Sequence, residues 1–203
     1  DAIAAIGRNP DPNKVKFTTW TLRYNQMLWV TLDAMEKHWE RARVDAELVN
    51  DHQVTLSTSN ADALTLSMPA GQCPLDSRQT PKITIDRQEL NGAPVLSDRS
   101  WVTHLRKVNG KWETVASADD GTLRKRHGLQ GPIDDAFMDS FLMVSGTGPA
   151  LNEKVSNWVK TEEAHAIDHW RSQFRGEARV TTDDAVTDAD IAAHNLVLWG
   201  DPQ

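Results

Sequence analysis

The sequence predicts a mixed fold class, an antiparallel β-sandwich followed by a partial α/β unit, and three observations predict it. Between residues 15 and 117, short runs of alternating apolar and polar residues recur, separated by polar turn clusters. From Phe141 to Gly200 the pattern becomes a continuous apolar run, a long helical stripe, a short capped helix and a second apolar run. Charge divides the same way: residues 1–118 hold 14 Lys/Arg and 14 Asp/Glu, residues 119–203 hold 8 and 15, and the whole net charge of −7 falls in the second part. These shifts place a first domain at 1–118, a linker at 119–130 and a second domain at 131–203.

In the first region, Val15 to Leu22 is rich in Thr and β-branched residues, and Met27 to Leu32 follows a polar break at Tyr24-Asn25-Gln26. Ala42 to Val49 alternates, with Val44, Ala46 and Leu48 on one side and Arg43, Asp45 and Glu47 on the other. Val54 and Leu56, then Leu64, Leu66 and Met68, repeat the alternation across a polar connector at Ser57 to Asp62. Lys82 to Asp86 presents Ile83 and Ile85 to one side. Trp101 to Lys107 and Lys111 to Val115 flank Asn109-Gly110, a hairpin signal because both turn residues tolerate positive φ. About seven short strands of this kind indicate an immunoglobulin-like sandwich. The single cysteine, Cys73, excludes an internal disulfide and reads as a half-buried loop thiol in Gly71-Gln72-Cys73-Pro74.

In the second region, Phe141 to Val144 is apolar throughout, as expected of a strand covered on both faces. A helix is predicted from about Leu151 to Phe174, with Val155, Val159, Ala166 and Trp170 in one stripe and Gly176 as its stop. Thr187-Asp188-Ala189-Asp190 caps a short helix, and Asn195 to Trp199 is the second strand. A parallel pair joined by a helical crossover is the simplest assembly, a Rossmann-like three-layer unit in part. One such unit cannot bury both faces of its own sheet. The alanine-rich stub Asp1 to Ile6 and the ending Asp201-Pro202-Gln203, where a further crossover helix is expected, therefore read as the edges of a piece of a larger protein.

Composition bounds the function. An acidic chain whose lone basic cluster, Arg124-Lys125-Arg126-His127, is short and sits in the linker does not suit nucleic acid. No apolar run reaches the ~18 residues of a membrane span. Gly146-x-Gly148 follows a strand and precedes a helix, but the dinucleotide fingerprint's third small residue is replaced by Leu151 and Pro149 removes an amide donor. No cofactor is implied. Glu162, His165 and His169, spaced i, i+3 and i+7, share a helix face beside Trp158 and offer carboxylate and imidazole to a metal; a metal-dependent hydrolase on that face is one alternative. The other reading of the trio is a polar margin of the helix. The first region carries Trp20, Trp29, Trp39, Trp101 and Trp112, and a glycan- or peptide-binding sandwich is a second alternative, with Trp101, Trp112 and Trp158 as candidate ligand contacts. Gly-x-Ser-x-Gly, Ser-x-x-Lys and His-Glu-x-x-His do not occur. Ser145, His194 and Asp201 flank predicted strands and form a conceivable triad that no spacing indicates.

Several stretches point further. Phe17-Thr18-Thr19-Trp20-Thr21-Leu22-Arg23-Tyr24-Asn25, Trp29-Val30-Thr31-Leu32, Trp39-Glu40-Arg41-Ala42-Arg43-Val44-Asp45-Ala46, Gly131-Pro132-Ile133-Asp134-Asp135-Ala136-Phe137 and His194-Asn195-Leu196-Val197-Leu198-Trp199-Gly200-Asp201-Pro202 occur in this order. Together they resemble the C-terminal region of large bacterial, planctomycete-type α/β-hydrolase proteins of the prolyl oligopeptidase-like peptidase and esterase kind. The resemblance runs over roughly residues 12 to 202. It implies a serine hydrolase domain upstream, so no catalytic residue is carried onto this chain. It also implies a periplasmic or secreted location. The expected function is a non-catalytic accessory module that packs on or caps the catalytic domain. The expected partners are that upstream domain or subunit, or a second copy joined through an exposed sheet edge.

Overall fold

Alternation builds the first part of the chain as the sequence dictates. Ala42, Val44, Ala46 and Leu48 of one strand are buried while Arg43, Asp45 and Glu47 are half-exposed. The same inward row recurs with Val54 and Leu56, Leu64, Leu66 and Met68, and Ile83 and Ile85. The computed structural model describes residues 12–200. The chain divides between Gln130 and Gly131 into two units. The Asp1 to Ile6 stub and Asp201 lie outside the described residues.

The first unit contains β1 (Lys14–Thr19), β2 (Gln26–Met27), β3 (Val30–Ala34), β4 (Ala42–Asn50), β5 (Gln53–Ser59), β6 (Ala63–Met68), β7 (Lys82–Ile85), β8 (Gln88–Asn91), β9 (Trp101–Val108) and β10 (Lys111–Val115). They form two five-stranded sheets, ordered β1-β4-β5-β7-β8 and β10-β9-β6-β3-β2, as in a β-sandwich. Residues of both sheets share one apolar cluster that includes Phe17, Trp29, Leu48, Leu66, Ile83 and Trp101. The expectation of a purely antiparallel sandwich is corrected at one ladder: β5 and β7 pair in parallel, Val54 opposite Ile83 and Leu56 opposite Ile85. The polar connector expected from Ser57 is also shorter, because β5 continues to Ser59 and pairs with β4 before turning at Asn60, whose φ is 55°. The Asn109-Gly110 hairpin forms as the dipeptide demands, with φ of 51° and 78°. Cys73, expected half-buried, is 1 % exposed, and burial pushes its thiol pKa up, which disfavours the thiolate.

Residues 119–130 are not a free linker; they belong to the first unit. The guanidinium of Arg106, only 7 % exposed, meets Asp120 and the Ala118 carbonyl. Arg124 donates to the same carbonyl at 2.7 Å, Arg126 pairs with Asp119 at 3.0 Å and His127 Nδ1 lies 2.9 Å from the Leu22 carbonyl. The Lys125 ammonium stands 5.4 Å over the Trp39 ring. Lys125, Arg126 and His127 of the basic cluster stay exposed while making these contacts, and Arg124 is half-buried.

Across β3, β6 and β9 runs a polar row. The Thr65 hydroxyl donates to Asp33 Oδ2 at 2.7 Å and lies 2.8 Å from His104 Nδ1. Burial raises the Asp33 pKa, and the Thr65 hydrogen bond and the charges of His104, Arg124 and Arg106 offset this in part. A carboxyl raised in the folded state contributes stability that is full below its ordinary value of 3.8 and is lost as pH rises through the raised value. Asp33→Asn is therefore expected to gain stability over the parent on going from acid to neutral pH, read as the difference in urea midpoints at the two pH values. An Asn variant that loses ground on that change contradicts the assignment.

The second unit contains β11 (Phe141–Ser145), α1 (Glu153–Phe174), β12 (Val180–Thr182), α2 (Asp188–Ala193) and β13 (Asn195–Trp199). Three strands, not the expected pair, form its sheet in the order β12-β11-β13, and both ladders are parallel. The central strand follows the sequence reading: Phe141, Leu142, Met143 and Val144 are all buried. Phe141 packs edge-on against Trp170 of α1 at 4.6 Å and against Phe137 at 5.1 Å, and Trp170 stacks on Phe174 at 4.4 Å. Helix α1 starts from an Asn152 cap whose side chain accepts from the amides of Lys154 and Val155. It stops at Arg175, left-handed with φ of 59°, one residue before the glycine expected to stop it. Thr187 and Asp190 close the predicted capping box of α2.

Candidate functional site

The two ends of the second unit's sheet differ in chemistry. Parallel pairing puts Phe141 opposite Asn195 and Ser145 opposite Trp199, so residues before β11 and β13 gather at one end and residues after them at the other. Ser140 and His194 meet at the first end: Ser140 Oγ lies 2.8 Å from His194 Nδ1 and accepts from Arg179 Nη1 at 2.6 Å. This clasp ties together the residues that immediately precede all three strands.

The second end carries a cavity of about 260 Å³, lined by residues after β11, by the first turns of α1, by Asp183 and by Trp199 and Gly200. Gly146 fits closely there: its amide donates to the Trp199 carbonyl at 3.1 Å, and a β-carbon would sit 3.3 Å from that oxygen, tighter than an ordinary contact. Asp183 Oδ1 accepts from the Thr147 amide at 3.0 Å, the Thr147 hydroxyl at 2.6 Å and the Asp184 amide at 2.9 Å. The Thr147 hydroxyl holds the Asp183 carboxyl below the usual carboxylate range, so it is an anion at neutral pH. Glu163, from α1, accepts from the Ser145 hydroxyl at 2.5 Å. The Trp199 indole N–H is buried and has no hydrogen-bond partner among the described residues.

This geometry answers the sequence-based candidates one by one. Ser145 and His194 sit at opposite ends of the sheet, five residues of strand apart, roughly 16 Å at ~3.3 Å per residue. They do not meet, and Asp201 lies outside the described residues. The Gly146-x-Gly148 turn is no phosphate cradle. Its Gly146 and Thr147 amides are taken by Trp199 and Asp183, and Asn152 takes the first amides of α1 beside the acidic Glu153. Glu162, His165 and His169 line up without converging: His165 Nδ1 is 3.8 Å from Glu162 Oε2, and the two imidazole centroids are 6.0 Å apart. Among the described residues no group of three His, Cys, Asp or Glu side chains is placed to hold a metal.

Trp101 and Trp112 cannot serve as a ligand platform, which corrects the expectation drawn from their strands. Trp101 is 0 % and Trp112 2 % exposed; their indoles donate to the Ala93 carbonyl and to Asp86 Oδ2, each at 2.9 Å. Trp158 is 62 % exposed on α1, and the exposed tryptophans of the first unit are Trp20 and Trp39. Sequence reasoning did not single out Lys160, Glu163, Asp183 and Trp199. Their signal was positional: Trp199 ends β13, Asp183 directly follows β12, and Lys160 and Glu163 lie two to three turns into α1, near the strand ends where sites in open α/β sheets gather.

No helix among the described residues is long and apolar enough to cross a membrane. In comparisons with known proteins, the chain matches no family model, no curated sequence and no solved structure.

Proposed function

We propose that this chain is a non-catalytic accessory module of a secreted serine hydrolase of the peptidase or esterase type, packing on or capping the catalytic domain. The observation that carries the reading is the set of large apolar side chains left exposed in the second unit. Leu198 on β13, Trp158 and Phe174 on α1 and Ile191 on α2 are 73 %, 62 %, 66 % and 58 % exposed. No residue of the 22-residue α1 is buried. Large apolar side chains left exposed on a strand and on both helices motivate a contact with another protein. The resemblance at residues 12 to 202 supplies the partner, the upstream α/β-hydrolase domain. In this reading the first unit is an immunoglobulin-like packing module and the second a Rossmann-like half-layer that the partner completes.

A fluorophosphonate probe labels activated serines. The isolated chain is expected to stay unlabelled, and the parent protein to be labelled on a serine outside residues 12–200. Covalent label on Ser140, Ser145 or any other serine of this chain overturns the proposal.

A further inference from the structure

We propose that the cavity at the C-terminal ends of β11 and β13 binds a monosaccharide-sized polyhydroxylated molecule, neutral or singly cationic, such as a hexose or hexosamine. The inference rests on the cavity and does not depend on the accessory role.

Size comes first. At about 260 Å³ the cavity lies just under the ~300–1,000 Å³ of drug-sized pockets and suits a single small ring. Its location is the usual one, beyond the carboxyl ends of parallel strands.

Chemistry narrows the ligand. Asp183 engages its Oδ1 in three hydrogen bonds and Glu163 its Oε1 in one, while the second oxygen of each accepts nothing among the described residues. The Lys160 ammonium, which forms no ion pair among the described residues, belongs to the same lining and supplies a donor. Hydroxyl groups donate and accept at once, so a ring bearing several of them satisfies carboxylate and ammonium together. Val155 and Val159 give the lining an apolar wall for the C–H face of such a ring.

Charge excludes the competing anions. Two carboxylates against one ammonium leave the lining one negative charge, and the Gly146, Thr147, Lys154 and Val155 amides are already taken. A phosphate or nucleotide meets net repulsion there, with those four amides already engaged. An amino group on the ligand adds attraction to Glu163 and Asp183.

The test follows the tryptophan indole N–H signals of the ¹⁵N-labelled full chain by NMR, with Trp199 assigned from Trp199→Phe. Glucosamine and glucose are titrated, with glucose 6-phosphate as the anionic counterpart. The expected result is a saturable shift of the Trp199 signal with glucosamine or glucose and none with the phosphate. Glu163→Gln keeps an acceptor for Ser145, and Lys160→Ala alters only an exposed helix position, so both variants retain the fold, and each is expected to weaken binding by about tenfold. A Trp199 signal that moves with neither sugar overturns the proposal. So does one that moves equally with the phosphate, or one that shifts unchanged in both variants.

Discussion

Trp101→Ala is expected to destabilise the first unit by about 3–5 kcal/mol, among the largest effects of any single substitution in this chain. The side chain is fully buried in the shared core, opposite Met68 across the β6–β9 ladder, and its indole donates to the Ala93 carbonyl at 2.9 Å. Truncation removes the ring from the core, leaves a cavity that two sheets cannot close by a small shift, and strands a carbonyl partner. Losses of this size approach the whole stability of many domains. The check is a urea titration followed by Trp fluorescence and far-UV circular dichroism. The comparison variant is Trp20→Ala, because Trp20 is 53 % exposed and its loss is expected to cost well under half as much. Equal effects at the two positions contradict the burial assigned here. The same contrast bears on the glycan-platform alternative: any ligand signal lost in Trp101→Ala reports unfolding, not a missing contact.

Phe141→Ala is expected to have a comparable effect on the second unit, again about 3–5 kcal/mol. Phe141 opens the central strand and touches Trp170 at 4.6 Å and Phe137 at 5.1 Å, so one ring connects strand, helix and the turn before the strand. Aromatic pairs of this geometry add to the area they bury. Because the unit has few other fully buried side chains, Leu142, Met143 and Val144 being its main ones, little remains to compensate. Hydrogen exchange is the suitable readout. Protection in β11, β12 and β13 is expected to fall while that of β4, β5 and β9 is kept. Uniform loss over the whole chain contradicts the division at Gln130.

The legible parts of the fold were those where side-chain period and backbone geometry agree. The inward row of β4, the Asn109-Gly110 turn, the apolar β11 and the Thr187 cap each declare themselves locally. Two strands did not. In β8, Gln88 to Asn91, Leu90 is the lone apolar residue, and the strand forms because β7 offers it an edge. β12 is three residues long with two threonines, held by β11 alone. The parallel β5–β7 ladder was invisible for another reason: nothing in either strand encodes the direction of its partner. Residues 119–130 carry no periodic pattern, so their ties to the first unit through Asp119 and the Ala118 and Leu22 carbonyls were not legible. At the candidate site the glycine turn was legible and its meaning was not, since Asp183, which takes the turn's Thr147 amide, arrives from 36 residues further on. The tryptophans show the limit most plainly. Alternation places Trp101 and Trp112 on strands, but only packing of the two sheets decides that both faces they occupy are closed.

The parallel ladder has a kinetic consequence. Chain order runs β5 in one sheet, β6 in the other and β7 back beside β5, so the polypeptide stitches through the sandwich before either sheet is finished. Local hairpins such as β4–β5, β7–β8 and β9–β10 supply part of each sheet, but the β1–β4, β3–β6, β5–β7 and β6–β9 pairings join strands that are not successive or cross long loops. Refolding of this unit is accordingly a concerted step governed by distant contacts, in the millisecond-to-second range typical of such topologies rather than the microseconds of a helical bundle. A polypeptide cut between Ser59 and Lys82 leaves two fragments that each hold parts of both sheets.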